Sequence, residues 1–287
     1  MNILVTGANG QLGRCLQDLS AGRPEWTFFF TDVDTLDICQ PDQTEAFVRA
    51  HAIDVIINAA AYTAVDRAED DIEMAYAINR DAVANLANIA RQQNAYLVQI
   101  STDYVFSGEN CHPYSTEEPM APISVYGKSK AAGEEAIRQS GCAATIIRTS
   151  WLYSEYGHNF VKTMLKLGQE RESVSVVCDQ IGGPTYAGDL AAVILKAVEV
   201  NRGKDGVQLY HFANEGSISW FDFTHAIMEM AGLSCRVESI FTAEYPAKAP
   251  RPAYSVFNLR KIKTEFDWKI PYWKDSLQLV INKLHGK

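Results

Sequence analysis

Residues 2–13 of the chain read NILVTGANGQLG, an apolar run followed at once by a glycine-rich turn. The apolar residues before Gly7 predict a short buried strand, and the pattern after Gly13 predicts a helix that runs through Leu19. Backbone amides at such a helix start point at an anion, and glycine lets the backbone approach a phosphate closely. The spacing is G-x-x-G-x-x-G rather than the more familiar G-x-G-x-x-G, so the turn alone only weakly indicates a bound nucleotide.

A second apolar run, residues 27–31, ends at Asp32, which lies 19 residues beyond Gly13. At a spacing of about 20 residues, an acidic side chain can hydrogen-bond the adenosine ribose of a dinucleotide. A carboxylate there repels a 2′-phosphate and therefore favours NAD(H), whereas the alternative is an ordinary turn aspartate. Asp37 and Ile38 follow, just before a helix that begins at Pro41.

A third buried strand is predicted at residues 55–58, and it leads into Ala59, Ala60 and Ala61. Three small side chains at the carboxyl end of a strand leave space for a flat ring. A long helix is predicted over residues 74–92, with an apolar stripe that Asn79 interrupts. Asn79 is either a satisfied core group or part of a water or proton chain.

Strands and helices alternate as far as Arg148, which predicts a doubly wound parallel α/β sheet of the Rossmann type. Ligands of such a sheet bind at the carboxyl ends of its strands. We expect residues 1–150 to form a dinucleotide-binding domain that also takes in parts of residues 172–200. Residues 151–287 would mainly form a smaller α+β substrate-binding domain.

A pair of polar residues on one predicted helix suggests proton transfer. Tyr126 and Lys130 lie four residues apart, one helical turn, and therefore share a face. A neighbouring ammonium lowers the pKa of a phenol from about 10, so the pair could exchange a proton with a sugar oxygen near neutral pH. Thr102, at the end of the strand predicted from residue 96, would hydrogen-bond the same oxygen. This spacing also recurs by chance on solvated helix faces, but the preceding threonine and the glycine turn favour catalysis.

The more irregular second half of the chain offers two residues for the substrate side. Trp151 follows the strand predicted at residues 144–148 and would stack on a sugar or fill the core between the domains. Arg251 lies in the basic, proline-flanked loop 248–252, where it would pair with a phosphate or simply face solvent.

Composition excludes several classes of protein. The net charge of −9 argues against a nucleic-acid surface, which needs clustered Lys and Arg. The six cysteines are scattered without a C-x-x-C, and the histidines show no ligand spacing, so we expect free thiols and no metal site. Strand-like residues from Asn2 leave no room for a signal peptide, and no apolar run approaches the ~18 residues of a membrane helix. These features predict a soluble cytoplasmic protein.

The glycine turn, Asp32, the segment 58–61 and Tyr126-x-x-x-Lys130, in this order, resemble an extended short-chain dehydrogenase/reductase. Further segments resemble the branch of that family that reduces the C4 ketone of a dTDP-linked 4-dehydro sugar with NADPH or NADH. They are residues 59–66, 101–106, 125–128, 148–151 and 179–185. The resemblance therefore runs nearly from end to end.

The resemblance implies that Thr102, Tyr126 and Lys130 are the catalytic residues. For the sugar site, the resemblance and the basic loop together give Thr63, Val65, Thr102, Asp103, Trp151 and Arg251. For the cofactor we expect Gly7, Asn9, Gly10, Gln11, Leu12, Gly13, Asp32, Asp37, Ile38, Ala59, Ala60, Ala61, Asn79, Tyr126 and Lys130.

Some members of this family carry magnesium at a dimer contact made of acidic side chains. Cys15 follows Gly13 and Arg14 here, where such a member would offer a carboxylate, so we expect no magnesium. The expected ligands are NADPH or NADH and a nucleotide sugar. A homodimer remains open, and neither a nucleic acid nor a membrane is expected as a partner.

Two other functions compete with reduction. Sugar-nucleotide 4,6-dehydratases and 4-epimerases share the fold, but the dehydratases need an acid–base pair, typically Asp-Glu, straight after the threonine. Here Thr102 is followed by Asp103 and Tyr104. The regulatory subunit of methionine adenosyltransferase also resembles the family and acts as a non-catalytic partner protein. Intact Thr102, Tyr126 and Lys130 favour an enzyme.

Overall fold

The strands of the molecule form one large sheet and several two-stranded ribbons. The structure, a computed structural model, describes residues 1–286. The strands are β1 (Asn2–Thr6), β2 (Thr27–Thr31), β3 (Val55–Asn58), β4 (Tyr96–Thr102), β5 (Ala144–Thr149), β6 (Leu152–Tyr153), β7 (Ser173–Val177), β8 (Ile181–Gly182), β9 (Thr185–Tyr186), β10 (Val207–Phe212), β11 (Ile218–Ser219) and β12 (Arg236–Ile240). The α-helices are α1 (Gln11–Ser20), α2 (Pro41–Ala50), α3 (Val65–Ala68), α4 (Ile72–Tyr76), α5 (Ala82–Gln92), α6 (Val125–Ser140), α7 (Phe160–Glu170), α8 (Ala187–Asn201), α9 (Trp220–Ala231), α10 (Arg260–Phe266) and α11 (Trp273–Leu284).

Within residues 1–286 the large sheet has six parallel strands in the order β10-β5-β4-β3-β1-β2. The chain leaves β1 toward β2 on one side and returns to β3 on the other, so the strand order reverses beside β1. The predicted doubly wound Rossmann-type sheet is confirmed. The turn after β1 therefore lies at the crevice where such sheets bind their ligands.

Both faces of the sheet are covered, which explains why its strands are apolar throughout rather than alternating. Ile3 and Val5 pack on the side of α1 and α8, and Leu4 packs on the opposite side with residues of α2 and α5. All three side chains are fully buried. The central strands therefore hold their carboxyl ends in fixed register.

The second half of the chain contributes to this sheet. Helix α8 packs against α1, and β10 pairs with β5 along its whole length, from Val207 opposite Ala144 to Phe212 opposite Thr149. The chain thus leaves the large sheet after β5 and returns to it through α8 and β10. The remaining ribbons and helices α7, α9 and α11 form the second unit around their own core, which includes Tyr153, Phe223 and Leu277.

The helix predicted over residues 74–92 is interrupted. Helices α4 and α5 are joined by a π-helical turn, Ala77–Asp81, that contains Asn79. A Cβ atom at Gly133 of α6 would lie 2.1 Å from the Asn79 carbonyl oxygen, so the two segments touch through their backbones. Single π-turns of this kind occur frequently at functional sites. No helix within residues 1–286 is both long and apolar enough to cross a bilayer.

Candidate active site

A cleft of about 720 Å³ opens at the carboxyl ends of the sheet strands, between the glycine turn and the second unit. Most of the residues predicted from the sequence line it. They are Gly7, Asn9, Gly10, Gln11, Leu12, Asp32, Asp37, Ile38, Ala59, Ala60, Ala61, Thr63, Val65, Thr102, Asp103, Tyr126, Lys130 and Trp151. Within the part of the chain that the structure describes, Gly13, Asn79 and Arg251 do not belong to this lining.

The glycine turn is built by close backbone approaches. Gly7 has a φ of +66°, and a Cβ atom there would lie 2.6 Å from the amide nitrogen of Ala60. A Cβ atom at Gly13 would lie 2.4 Å from the Gly7 carbonyl oxygen, so Gly13 lets α1 start against the turn without itself facing the cleft. Among the described side chains none caps α1, whose first amides remain free for an anion. The turn therefore fits the pyrophosphate of a dinucleotide.

Asp32 is fixed at the edge of the cleft by backbone amides. Its Oδ2 accepts the Asn9 N–H at 2.8 Å and its Oδ1 accepts the Val33 N–H at 2.8 Å. Beside it, Val33, Leu36 and Cys39 also line the cleft, although no motif marks them in the sequence. Val33 is 73% exposed, which leaves its surface available to a flat ring.

Tyr126 and Lys130 lie in the first turns of α6, as their spacing predicts. The Ser124 hydroxyl caps the helix by accepting the Gly127 N–H at 3.1 Å, and the Val125 N–H donates to the Glu69 carboxylate at 2.9 Å. Serine is a preferred N-cap because its oxygen satisfies a free amide of the first turn. This cap sets where Tyr126 enters the cleft.

The electrostatics of Tyr126 differ from what the sequence suggests. Burial raises the pKa of the Tyr126 phenol to about 12, although hydrogen bonding with Thr102 opposes the shift. The expected lowering of this pKa by Lys130 is wrong, because burial of the phenol dominates. The Lys130 ammonium donates to the Ile100 carbonyl at 2.7 Å. Burial lowers the pKa of Lys130 itself to about 8, against the opposing charge of Glu134. The cleft thus holds a neutral phenol beside a cation that titrates near the physiological range.

Thr102 and Asp103 form a polar pair at the end of β4. The Thr102 hydroxyl donates to Asp103 Oδ1 at 3.0 Å and accepts the Tyr104 N–H at 3.2 Å. Burial raises the pKa of Asp103 to about 6, while hydrogen bonding with Ser255 and Thr102 opposes the shift. The Tyr104 ring packs edge-on against Tyr126, with ring centroids 5.4 Å apart. These contacts hold the threonine hydroxyl and the phenol on the same side of the cleft.

Asn79 lies beneath the cleft rather than in its lining, and it is 1% exposed. Its Oδ1 accepts the Tyr62 N–H, and its Nδ2 donates to the Tyr62 carbonyl and to the Ser129 hydroxyl, each at 3.0 Å. This is the satisfied core group that the sequence left as one of two alternatives. Asn79 ties the loop that carries Thr63 to helix α6.

Arg251 lies at the rim, where Asp66 holds it. Its Nη2 and Nη1 donate to the two carboxylate oxygens of Asp66 at 2.8 and 3.2 Å. Asp66 follows Val65, a lining residue, and the Arg251 guanidinium faces the Tyr245 ring at 5.9 Å. The sequence predicts that Arg251 pairs with a phosphate. In the structure its guanidinium is already paired with Asp66, a half-exposed carboxylate.

Trp151 reaches the cleft from the second unit in a strained backbone conformation, with a φ of +46°. Its ring stacks on Trp220 with centroids 3.6 Å apart and planes within 10°. One face of the indole is therefore covered by protein. Gly157 and His158 line the cleft nearby, and they were missed because no motif marks their loop.

Metal ligands do not cluster among residues 1–286, where no group of three or more His, Cys, Asp or Glu side chains could hold an ion. Cys15 is buried, and burial raises the pKa of its thiol to about 12, with the charge of Glu155 adding to the shift. This thiol is therefore protonated and is a poor ligand in that state.

Comparison with known proteins gives a consistent result. Residues 1–285 match the family described as RmlD substrate binding domain. The dTDP-4-dehydrorhamnose reductase of Aggregatibacter actinomycetemcomitans is 41% identical over 284 residues, which cover 96% of this chain and 97% of the relative. The spore coat polysaccharide biosynthesis protein SpsK of Bacillus subtilis (strain 168) is 40% identical over 278 residues, with coverages of 96% and 95%. A crystal structure of dTDP-4-dehydrorhamnose reductase from Bacillus anthracis in complex with NADP superimposes with a TM-score of 0.93 at 41% identity, covering 98% of this chain and 99% of that one.

Proposed function

The chain belongs to the RmlD substrate-binding domain family, and on that premise we propose that it is an NAD(P)H-dependent sugar-nucleotide oxidoreductase. It reduces the C4 ketone of dTDP-4-dehydro-β-L-rhamnose to give dTDP-β-L-rhamnose. The observation that carries this proposal is the meeting of Thr102, Tyr126 and Lys130 in the cleft that the glycine turn also lines.

The test is oxidation of NADH and of NADPH by the purified protein in the presence of dTDP-4-dehydro-L-rhamnose. We expect turnover that requires the keto sugar. Absence of turnover with both cofactors would instead favour the non-catalytic regulatory subunit. A 4,6-dehydratase is not favoured, because Tyr104 stands where that reaction needs a glutamate.

The cofactor would lie along the cleft from the glycine turn to helix α6. The free amides at the start of α1 would bind its pyrophosphate. Asp32 would hydrogen-bond the adenosine ribose, and Lys130 would hydrogen-bond the nicotinamide ribose. When bound, NAD(P)H supplies the hydride that adds to C4 of the keto sugar.

The residues of this chain supply the proton and the charge stabilisation. Negative charge develops on the former carbonyl oxygen, and donors already aimed at that oxygen stabilise the transition state more than the ground state. Tyr126 gives the oxygen its proton, and Thr102 holds it by a second hydrogen bond. The raised pKa of Tyr126 keeps the phenol protonated, as a proton donor must be before the hydride arrives. Lys130 then compensates the phenolate that remains.

The sugar side of the site takes in Thr63, Val65, Asp103 and Trp151, with Arg251 near the pyrophosphate of the nucleotide sugar. Trp220 covers one face of the Trp151 indole and Gly182 lies against its pyrrole side, so the sugar would contact the part of the ring that lines the cleft. A homodimer in solution is also part of the proposal, and the mass of the purified protein would test it. The six free cysteines support a cytoplasmic setting.

Asp32→Ala is expected to weaken NADH binding more than NADPH binding, because the carboxylate hydrogen-bonds a ribose hydroxyl and repels a 2′-phosphate. Asp32 also orders the turn through Asn9, so the ratio of the two dissociation constants is the readout rather than either alone. Asp34→Ala, an exposed acid two residues on, is the matched control and should change neither constant. Equal losses for both cofactors would contradict the assignment.

Replacing Arg251 by Gln or Trp151 by Leu is expected to raise the Michaelis constant for the nucleotide sugar. A hydrogen bond to a charged group contributes about 1.5–3 kcal/mol, so the rise for Arg251→Gln should be on the order of 10–100-fold. Cofactor affinity should stay within about twofold, since neither side chain is assigned to the cofactor. Steady-state kinetics and a cofactor titration measure the two effects.

The control for the arginine is Arg236→Gln. Arg236 is a largely exposed cation of the second unit that pairs with Glu238, away from the cleft. If cofactor affinity falls as far as substrate affinity in the Arg251 or Trp151 variants, these residues do not belong to the substrate side.

A further inference from the structure

A buried ion pair lies directly beneath the proposed catalytic residues. Arg148 of β5 donates from Nε and Nη2 to the two carboxylate oxygens of Glu134 on α6, at 2.8 and 2.7 Å. Their side chains are 1% and 0% exposed. Burial alone would raise the pKa of Glu134, but the hydrogen bonds and charge of Arg148 outweigh it and lower that pKa. The carboxylate is therefore ionised.

The same carboxylate joins a strand to the helix. The Ser101 hydroxyl donates to its Oε1 at 2.6 Å, and Arg138 donates to its Oε2 at 3.1 Å. Ser101 stands between Ile100, whose carbonyl accepts from Lys130, and Thr102. Glu134 thus anchors the end of β4, which carries both the Ile100 carbonyl and the Thr102 hydroxyl.

On its far side Arg148 meets a neutral histidine. The guanidinium Nη1 lies 3.3 Å from His211 Nε2, and His211 Nδ1 lies 3.1 Å from the Tyr114 carbonyl oxygen. Burial, reinforced by the charge of Arg148, lowers the pKa of His211 to about 3. An uncharged ring that donates to Tyr114 can accept from Arg148 but cannot balance its charge. Glu134 is therefore the counter-ion of Arg148.

Lys130 lies one helical turn before Glu134. Among the described residues, Glu134 is the charged group that shifts the pKa of this ammonium, and the Tyr126 phenol lies one turn earlier on α6. Burial disfavours the ammonium form, and the charge of Glu134 opposes that effect. A buried ion pair stabilises a fold little compared with apolar residues of the same volume. Folding alone therefore does not account for the pair at this place.

From this geometry we infer that Glu134 is a positioning residue for Lys130. Through its own charge it keeps the lysine cationic, and through Ser101 it seats the Ile100 carbonyl that orients the ammonium. The inference deepens the proposed function and rests on it, because Lys130 acts there on the cofactor ribose and on Tyr126.

The experiment compares the pH dependence of turnover in Glu134→Gln and in the wild type. The wild-type turnover rate should fall as the pH rises through the pKa of Lys130, because the lysine then loses its positive charge. This fall is the alkaline limb of the pH profile. Glu134 lies one helical turn from Lys130 and its charge favours the ammonium. Loss of a nearby opposite charge lowers the pKa of a cation, so the fall in rate should begin about one pH unit lower in the variant. Glu135→Gln removes the same charge one residue away, from a half-exposed position on α6, and should leave the limb unmoved.

A second variant guards against misfolding caused by the unpaired Arg148 cation. Glu134→Gln combined with Arg148→Met removes both charges, so its melting temperature should recover toward that of the wild type. The rate of this double variant should nevertheless fall at a lower pH than the wild-type rate does, because the carboxylate near Lys130 is still missing. Two results would overturn the inference. One is a double variant whose rate falls at the same pH as that of the wild type. The other is a Glu134→Gln protein that loses stability while the pH at which its rate falls is unchanged.

The pH dependence of NADH and NADPH binding gives a readout that does not need turnover. Affinity should be lost at a lower pH in Glu134→Gln than in the wild type. If wild-type protein proves inactive on the keto sugar, the proposed function fails while this binding measurement still decides the inference.

Discussion

Tyr126→Phe is expected to lower the turnover rate by about 10²–10⁴-fold, the usual contribution of a positioned proton donor, while NADH and NADPH still bind. Removing the phenol oxygen takes away the proton that the reduced C4 oxygen must receive, and water cannot replace a donor held in this buried position. Single-turnover kinetics with saturating cofactor would measure the loss directly. The ring itself remains, so its edge-on packing against Tyr104 is preserved.

Tyr96→Phe is the matched control for this variant. Tyr96 is a buried tyrosine of β4 whose hydroxyl pairs with Thr145 at 2.7 Å, outside the cleft. The Tyr96→Phe protein should be somewhat less stable than the wild type but should reduce the keto sugar at the same turnover rate. A Tyr126→Phe protein that reduces the keto sugar at nearly the wild-type rate would falsify the proposed proton transfer and leave Tyr126 with a structural role.

Lys130→Met is expected to lower both turnover and cofactor affinity, because Lys130 is proposed to serve the nicotinamide ribose and the phenolate together. Loss of a hydrogen bond to a charged group predicts a cofactor affinity weaker by about 10–100-fold. The turnover rate should fall by about 10²-fold or more, within the range for removing a proton-transfer partner. Cofactor titration by fluorescence, followed by kinetics at saturating cofactor, separates the two losses.

Lys128→Met provides the comparison for Lys130→Met. Lys128 lies two residues earlier on the same helix, exposed to solvent, and its replacement should affect neither quantity. Should Lys130→Met slow the reaction but bind both cofactors as well as the wild type, Lys130 would have no role in holding the ribose.

The large sheet could be predicted because its signals are local. An apolar run bounded by glycine marks β1, and similar runs mark β3 and β4 within a few residues of their true ends. The return of β10 to the sheet could not be predicted in the same way. Its pairing with β5 joins residues about 60 positions apart, and nothing within either strand specifies that partner. Two-residue strands such as β8 and β11 are also too short to show a periodic pattern.

In the candidate site, too, the features that depend on sequence neighbours could be predicted and those that depend on distant residues could not. Gly7 and the Tyr126–Lys130 pair were found because each depends on neighbours in sequence. The carboxylate of Glu134 was missed, although it lies one turn beyond Lys130, because its partner Arg148 belongs to a distant strand. The pKa of Tyr126 was expected to fall because the sequence reveals a neighbouring lysine but not the burial that dominates.

The return of β10 to the sheet has a consequence during protein synthesis. Strand β5 ends at Thr149, but its outer neighbour is complete only at Phe212. On a ribosome that adds about 5–20 residues per second, this delay lasts on the order of 3–13 s. Until then Ala144–Thr149 presents an unpaired edge, a surface that readily pairs with another chain. Crowded polysomes would thus be where nascent chains of this protein most need a chaperone.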